Sequence, residues 1–423
     1  MKNPAESCLR AAWPHFAPSL SGLALSVALL AACGGGGAAS NSPAAATPPA
    51  TDPASSSSSA SSSAVSLAAV RCDALAAAQT SPSVSVTQAA GGLVNPWGMV
   101  FLPDGRMLVT ERPGRIRIVS TAGVLSAPIT GVPPVYAQGQ GGLLDIALDP
   151  NYASNGLIYF SYAESGTGGA GTAVARATLN TTTLALSGLS IIYRQTPKVS
   201  GGNHFGSRLV FGTDGKLYVS LGERFQFTPA QDTSQSLGKI VRINSDGSVP
   251  TDNPFVGNSS SLPEIWTLGH RNPQGMTRHP MTGQLWTAEH GAMGGDEINK
   301  PEKGKNYGWP VISYGVNYDG TKIGEGTAKL GMEQPRCYWD PSIAPGNLVF
   351  YTGNKVASWS GNLFVAALKD MSLMRLTLNG TTITGQERIN IGKRVRDVRV
   401  GPDGWLYLLT DETAGQILRL SAP

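Results

Sequence analysis

The sequence predicts an all-β protein built as a six-bladed β-propeller. Three observations carry that expectation: glycine and proline are abundant, charge is sparse, and one short pattern recurs six times. Gly (52) and Pro (29) make up roughly a fifth of the 423 residues, against about an eighth in ordinary proteins. Charged residues are 14%, well under the usual share of about a quarter. Such a chain lacks the helix formers of a coiled coil or bundle and the dense Lys/Arg of a nucleic-acid binder. A net charge of +4 points to no polyanionic partner.

The recurring pattern is a turn residue, Gly, any residue, then an apolar β-rich run. It appears at Asp104-Gly105, Asn155-Gly156, Asp214-Gly215, Thr282-Gly283, Ser360-Gly361 and Asp403-Gly404. Asp-Gly or Asn-Gly before an alternating apolar run is a strong hairpin signal. Second strands of related form follow at Gly114–Ile118, Gly238–Ile243 and Gly415–Leu420. The six glycines are 51, 59, 68, 78 and 43 residues apart, a spacing that suits propeller blades with insertions. The larger insertions fall between the third and fifth copies, where loops should build a site. A β-sandwich with similar turns is the other architecture. No G-x-G-x-x-G follows a strand, so a Rossmann nicotinamide enzyme is poorly supported.

Residues 1–33 read as an export signal. Lys2 and Arg10 give a basic start, and an apolar stretch from Leu20 ends in Leu30-Ala31-Ala32-Cys33. That stretch is too short for a stable membrane span. Its ending resembles the bacterial lipoprotein box, which implies lipidation of Cys33; Gly34, in place of Asp, favours the outer membrane. An ordinary cleaved signal is the alternative. Residues 34–75 read as a low-complexity tether, with Asp52 the only charge as far as residue 70. Residues 76–423 are then the propeller. Cys72 and Cys337 remain in an exported chain, either as a disulfide or as two separate thiols.

The polar clusters lie between the repeat strands. His204, on the Gly201-Gly202-Asn203 loop, with Glu223 further on, suits a general base with an orienting carboxylate, or a histidine capping a turn. His270-Arg271-Asn272-Pro273-Gln274-Gly275 reads as a fixed donor cluster or a solvated turn. The segment from Glu289 to Asn299 combines a Gly-rich backbone with carboxylates, which suits a hard cation, but lacks EF-hand spacing. Asn306 to Pro310 and Asn317-Tyr318-Asp319 follow and could complete such a site. Lys369 closes one strand, and Arg394 and Arg396 precede the last. Two Arg at i and i+2 share a strand face and repel unless an anion lies between them; a solvated edge is the other reading.

Taken in order, the motifs resemble the soluble glucose/sorbosone dehydrogenase family. They are Asn95-Pro96-Trp97-Gly98, Gly139 to Leu144, Gly202 to Arg208, His270 to Gly275, Gly295 to Asn299, Asn306 to Pro310 and Arg394 to Asp397. More closely they resemble its aldose sugar dehydrogenase branch, over roughly residues 85 to 422. The resemblance implies a six-bladed propeller that holds pyrroloquinoline quinone (PQQ) and calcium at the mouth of the ring. It implies His204 as the base toward the anomeric hydroxyl and Glu223 as its acidic partner. It places Gln140, Arg271 and Asn272 against substrate and quinone, and Lys369, Arg394 and Arg396 on the quinone carboxylates. The carbonyls of Gly291 and Ala292 would hold the cofactor calcium. Glu297 and Tyr307, with Tyr318 or Asp319, would hold a second, structural one. The loop from Trp339 to Pro345 is where a substrate-flanking aromatic residue would sit.

The activity so implied is PQQ- and calcium-dependent oxidation of aldoses at C1 to aldonolactones. Electrons would pass to a quinone or cytochrome, in the periplasm, by a lipid-anchored monomer or homodimer. Two alternatives use the same scaffold. One is a calcium-dependent lactonase or hydrolase, which needs no tricarboxylate clamp. The other is a non-catalytic sugar-binding envelope lipoprotein, which needs no His204–Glu223 pair.

Overall fold

The computed structural model describes residues 68–78 and 80–421. The signal segment, Cys33 and the tether as far as residue 67 lie outside the described residues. The six repeats fold into six sheets, each a blade, and the expected propeller is what forms. Blade one has three strands, Pro96–Phe101, Met107–Glu111 and Arg115–Val119. Blade two runs from the strand Leu143–Leu148 to Ala185–Arg194, blade three from Gly206–Phe211 to Ile265–Leu268, and blade four from Pro273–Arg278 to Cys337–Trp339. Blade five begins at Pro345–Phe350 and blade six at Val395–Val400. The one α-helix among the described residues is the single turn Tyr152–Asn155.

Local chemistry explains the hairpins. Gly105, Gly215 and Gly404 take left-handed φ values of 86°, 71° and 80°. The preceding Asp folds back to cap the turn: Asp104, Asp214 and Asp403 accept the N–H of Arg106, Lys216 and Trp405 at 3.0, 3.0 and 3.2 Å. The apolar runs then bury in six layers, one at each blade interface. Trp286, Trp339, Leu348 and Val365 fill the layer between blades four and five. Leu108, Ile146 and Phe160 fill that between one and two, and Leu409, Ile417, Met99 and Val109 that between six and one. Each such side chain stabilises the fold by about 1.5–3 kcal/mol.

The ring closes with strands from both ends of the chain. Ser85–Leu93 pairs antiparallel with Gly415–Ser421 in blade six. The chain before it is also part of the fold, which corrects the tether boundary. Cys72 is fully buried and disulfide-bonded to Cys337 in the outer strand of blade four. Ala76–Ala77 then pairs in parallel with the outer strand of blade five. Composition hid this because the anchoring comes from one thiol and from backbone groups, not from an apolar run.

All six innermost strands share one irregularity. A bulge interrupts each near its second and third residues. Such a bulge re-aims neighbouring side chains. The third positions are Gly98, Asp145, Arg208, Gly275, Asn347 and Asp397. Four of these side chains meet on the ring axis. Arg208 lies 3.1 Å from Asp145 and 3.5 Å from Asp397, and Asn347 donates to Asp397 at 2.7 Å. Arg399 reaches both acids at 3.4 and 3.3 Å. Asp397 also accepts the N–H of Met99 in blade one, and Arg208 donates to the Gln274 carbonyl in blade four. Every blade thus contributes a group to one compact polar cluster.

Candidate active site

Three of the second residues of the same bulged strands face a cavity of about 240 Å³ at the mouth of the ring. Trp97, Gln274 and Arg396 line it from the inner strands, and Arg112, Gln140, Asn272, His290, Arg394 and Asp411 from the loops. Sequence reasoning had placed Gln140, Asn272, Arg394 and Arg396 in such a site, and the structure brings them together. It had missed Trp97, Arg112, Gln274, His290 and Asp411 as site residues.

Asp411 answers the question posed by the two arginines. Its carboxylate lies 3.2 Å from Arg394 and 3.1 Å from Arg396. Burial works against its charge, but Arg396 and Arg394 outweigh that and hold its carboxyl below the ordinary range. One acid serves two arginines, and the wall still carries excess cation. Arg112 completes it, bonded to the carbonyls of Gly141 and Gly139. Lys369 is exposed next to Leu368, which lines the cavity, and makes no ion pair among the described residues. Arg396 is 9% exposed, donates to Gln274 at 2.8 Å, and leaves its Nε buried without an acceptor. A buried unpartnered donor costs about 1–3 kcal/mol, and an anionic ligand would relieve it.

His204, with φ +52°, is bonded to Gln140, which lines this cavity. Its N–H is held by Gln140 at 2.8 Å, and its Nδ1 lies 2.6 Å from Glu223. Glu223 is fully buried, and its second oxygen takes the N–H groups of Gln226 and Phe227. Gly222 is required beside it, because a Cβ there would stand 2.0 Å from the His204 carbonyl oxygen. Burial holds the imidazole below its usual value, Glu223 pulls it up, and the Arg271 charge pushes it down again. The ring is therefore neutral near pH 7, with Nδ1–H donated to Glu223 and Nε2 left as the basic nitrogen.

Arg271 and Asn272 are fixed through their backbone. Both N–H groups point at Glu289, which also bonds His270 Nδ1 at 2.9 Å. The Arg271 guanidinium donates to the carbonyls of His290 and Gly291 and meets the Tyr318 hydroxyl at 3.3 Å; its Nε is buried and unpartnered. The Asn272 amide oxygen accepts the Gly206 N–H at 3.1 Å. His290, held neutral by burial at about 3, donates to the Pro345 carbonyl at 2.7 Å.

The expected metal residues divide. Among the described residues no three His, Cys, Asp or Glu side chains converge as a metal cluster. Gly291 turns so tightly that a Cβ would lie 2.1 Å from the Gly294 oxygen, and its carbonyl serves Arg271. Ala292 is buried at 7% exposure, on the next residue of that turn. Asp296 knots this loop to the next blade, bonding Gly291, Ser342, Ile343 and Ala344. Glu289, Glu297, Gly291 and Tyr307 line a separate void of about 20 Å³, room for one water-sized occupant. Burial, with Glu289 close by, pushes Glu297 up to about 8. Two carboxylates and loop backbone around this void suit a hard cation, while Arg271, which also lines it and takes the Gly291 carbonyl, holds the opposite charge there. The Tyr307 hydroxyl is turned to the Lys300 carbonyl at 2.5 Å, so any ligand from Tyr307 is its backbone.

Tyr318 and Asp319 do not line that void, which corrects the expectation for both. Tyr318 is 64% exposed and reaches Arg271, while Asp319 caps its own turn through Thr321. Trp339 is also displaced from its expected role. It is 1% exposed, packed between blades four and five and bonded to Gln386. The aromatic ring beside His204 is Phe225, at 5.1 Å between centroids.

Residues 93–419 match the family described as Glucose / Sorbosone dehydrogenase. The chain is similar to aldose sugar dehydrogenase YliI of Escherichia coli (strain K12), 47% identical over 354 residues covering 82% of this chain and 95% of that relative. Among solved structures it resembles the apo-form of the soluble aldose sugar dehydrogenase from Escherichia coli, 46% identical with a TM-score of 0.78, covering 81% of this chain and 100% of that one. It also resembles the PQQ-bound aldose sugar dehydrogenase from Streptomyces coelicolor, 28% identical with a TM-score of 0.66, covering 81% and 99%.

Proposed function

The chain belongs to the glucose/sorbosone dehydrogenase family, and on that premise we propose that it oxidises aldose sugars at C1 to aldonolactones with PQQ and calcium. The observation that carries this reading is the pairing of a buried His–Glu dyad with a cationic pocket in which the buried Arg396 Nε lacks an acceptor. PQQ is a tricarboxylate, and Arg394, Arg396 and Arg112 form a matching cationic wall, with Lys369 exposed beside the lining residue Leu368 as the further cation the resemblance implies. Asn272 lines the same cavity, and the Arg271 charge is close enough to His204 to lower its pKa. Glu289, Glu297 and Gly291 would supply oxygens suited to calcium, with the Ala292 carbonyl as the further ligand the resemblance implies.

His204 Nε2 takes the proton of the anomeric hydroxyl. Glu223 stabilises the imidazolium that forms and keeps Nδ1 as the donor side. Gln140 fixes the backbone of His204, so the ring turns little during transfer. Arg271 faces the oxygen from which the proton departs and favours its developing negative charge. When bound, PQQ and calcium supply the electrophile that accepts the hydride of C1. Calcium-dependent lactone hydrolysis has no use for the arginine wall.

The full-length protein is read as an envelope lipoprotein anchored through Cys33, facing the periplasm, with a quinone or cytochrome as electron acceptor. No helix among the described residues is long and apolar enough to cross a membrane. The deciding experiment adds PQQ and calcium to purified apoprotein and supplies glucose with an electron-accepting dye. Dye reduction that needs both additions is expected. Absence of PQQ binding and of dye reduction with a panel of aldoses would overturn the reading.

A further inference from the structure

The turn that follows Glu223 is built against its own backbone preferences. Arg224, Phe225 and Phe227 have φ values of 59°, 62° and 63°, a region unfavourable to residues with a side chain. Such strain persists only where the surroundings over-determine it, and it concentrates at functional sites. Here the restraints are visible. Arg224 is 1% exposed, donates to the carbonyls of Asn203 (2.7 Å), Ala170 and Gly201, and lies 3.7 Å over the Phe205 ring. On the other side, Glu223 holds the N–H groups of Gln226 and Phe227.

The consequence is a ring forced outward. Phe225 is 42% exposed although Glu223 and Arg224 before it are buried. Its ring stands nearly perpendicular to that of His204, at 73° and 5.1 Å. It is propped by Phe227 at 5.5 Å, which packs on Trp309 at 5.3 Å. An exposed ring propped in this way beside the base offers a face against which a ligand can stack. The occupant must present a hydroxyl to His204 and an apolar face to Phe225. A pyranose has both, because its axial C–H bonds form a face distinct from its hydroxyl edge.

Resting on the aldose oxidation proposed above, we infer that Phe225 is a specificity-determining platform: the C–H face of the sugar stacks on it while the C1 hydroxyl meets His204. An axial hydroxyl on that face would be pressed against the ring without a partner. In a β-pyranose the C1 hydride leaves from the face of H1, H3 and H5, so the face against Phe225 is that of H2 and H4, where galactose carries its axial C4 hydroxyl; glucose is therefore favoured over galactose.

The test measures kcat and KM for glucose and for galactose with PQQ- and calcium-loaded wild type, Phe225→Ala and Phe225→Trp, beside PQQ titrations of each apoprotein. Phe225→Ala should lower kcat/KM for glucose about two- to tenfold, mainly by raising KM. It should also narrow the glucose-to-galactose ratio and leave the PQQ titration unchanged. Phe225→Trp should keep most of the ratio. If the wild type oxidises sugar but Phe225→Ala shows the same KM and ratio, the platform is overturned and the oxidation stands. A PQQ titration that weakens with the sugar kinetics makes Phe225 a structural prop and also overturns the inference. A wild type that binds PQQ but oxidises no aldose sinks both readings.

Discussion

Replacing Arg208 by methionine removes the centre of the axial charge cluster while keeping most of the side-chain volume. Arg208 is fully buried, faces Asp145 and Asp397, donates to the carbonyls of Gln274 and Arg396, and lies 4.1 Å over the Trp97 ring. Its loss leaves two buried acids facing Arg399 alone. Breaking a buried ionic network at one member costs about 3–5 kcal/mol. An ordered body of about 350 residues has an unfolding entropy near 0.7 kcal/mol/K, so that cost lowers the melting temperature by about 4–7 °C. Burial, together with the nearby Arg399 and Arg396 charges, outweighs the two acids in disfavouring the Arg208 charge, so the destabilisation reflects stranded carboxylates rather than a lost attraction. The double variant Arg208→Met with Asp145→Asn restores charge balance and should recover about half of the loss or more. Differential scanning calorimetry on the three variants decides it. A melting temperature within about 1 °C of wild type in Arg208→Met, or a double variant worse than the sum of the singles, would refute the reasoning.

Glu223→Gln should cut kcat and move the acid limb of the pH profile. Activity falls as pH drops through the folded-state pKa of His204, below the usual 6.5; Glu223 pulls that value up, so its loss moves the limb to lower pH, and a shift to higher pH would contradict the dyad. Arg396→Lys should weaken PQQ binding more than Arg394→Lys, because the Arg396 side chain is 11% exposed and that of Arg394 48%. The first loss should be about tenfold or more, one charge-assisted contact being worth about 1.5–3 kcal/mol, and equal titration curves for both variants and wild type would remove the clamp. Cys72→Ser opens a clip between residues 265 apart in sequence and should lower the melting temperature by about 3–6 °C, a loss of roughly 2–4 kcal/mol. Reductant should lower the wild type to the same point and leave the variant unmoved. Chelator should lower the melting temperature of calcium-loaded protein and do so less in Glu297→Gln; indifference to chelator in both would argue against a cation in that void.

The propeller was legible because its signal is local. Each Asp-Gly or Asn-Gly turn sits next to the strand it starts, and six copies suffice to count blades. His204, Glu223 and the 270–275 loop were legible because polar residues stood within short Gly-rich segments. The axial cluster and Asp411 were not, because their partners come from separate blades: Asp145 meets Arg208 and Arg399 only when the ring closes. A signal existed all the same. Gly98, Arg208 and Asp397 stand at one offset before Gly105, Gly215 and Gly404. Glu111, Glu223, Glu289 and Asp411 lie at or just beyond the ends of the second strands that those turns begin. Aligning the repeats by turn, rather than reading each segment alone, would have placed charged side chains in two tiers. Tyr318 and Asp319 illustrate the opposite failure. They lie close in sequence to the carboxylate segment, and sequence proximity suggested a shared ion, but the turn at 317–321 carries them to the surface.

The two tiers differ in charge balance, and that difference separates support from function. On the axis, Asp145 and Asp397 face Arg208 and Arg399, two against two, and each acid is further bonded by backbone N–H groups of Leu209, Met99 or Val398. Such a cluster is complete without a ligand. At the mouth, Arg394 and Arg396 share the single acid Asp411, Arg112 is bonded to carbonyls, and the buried Nε of Arg396 has no acceptor. Like charges held together in a partly desolvated pocket raise the free energy of the empty site, and an anion with several carboxylates lowers it. The inner-strand bulge produces both tiers at once. It turns Arg396 to the mouth and Asp397 to the axis, and does the same for Trp97 with Gly98 and Gln274 with Gly275. A balanced floor steadies an unbalanced wall most directly where the two are covalently adjacent, as Arg396 and Asp397 are along one strand.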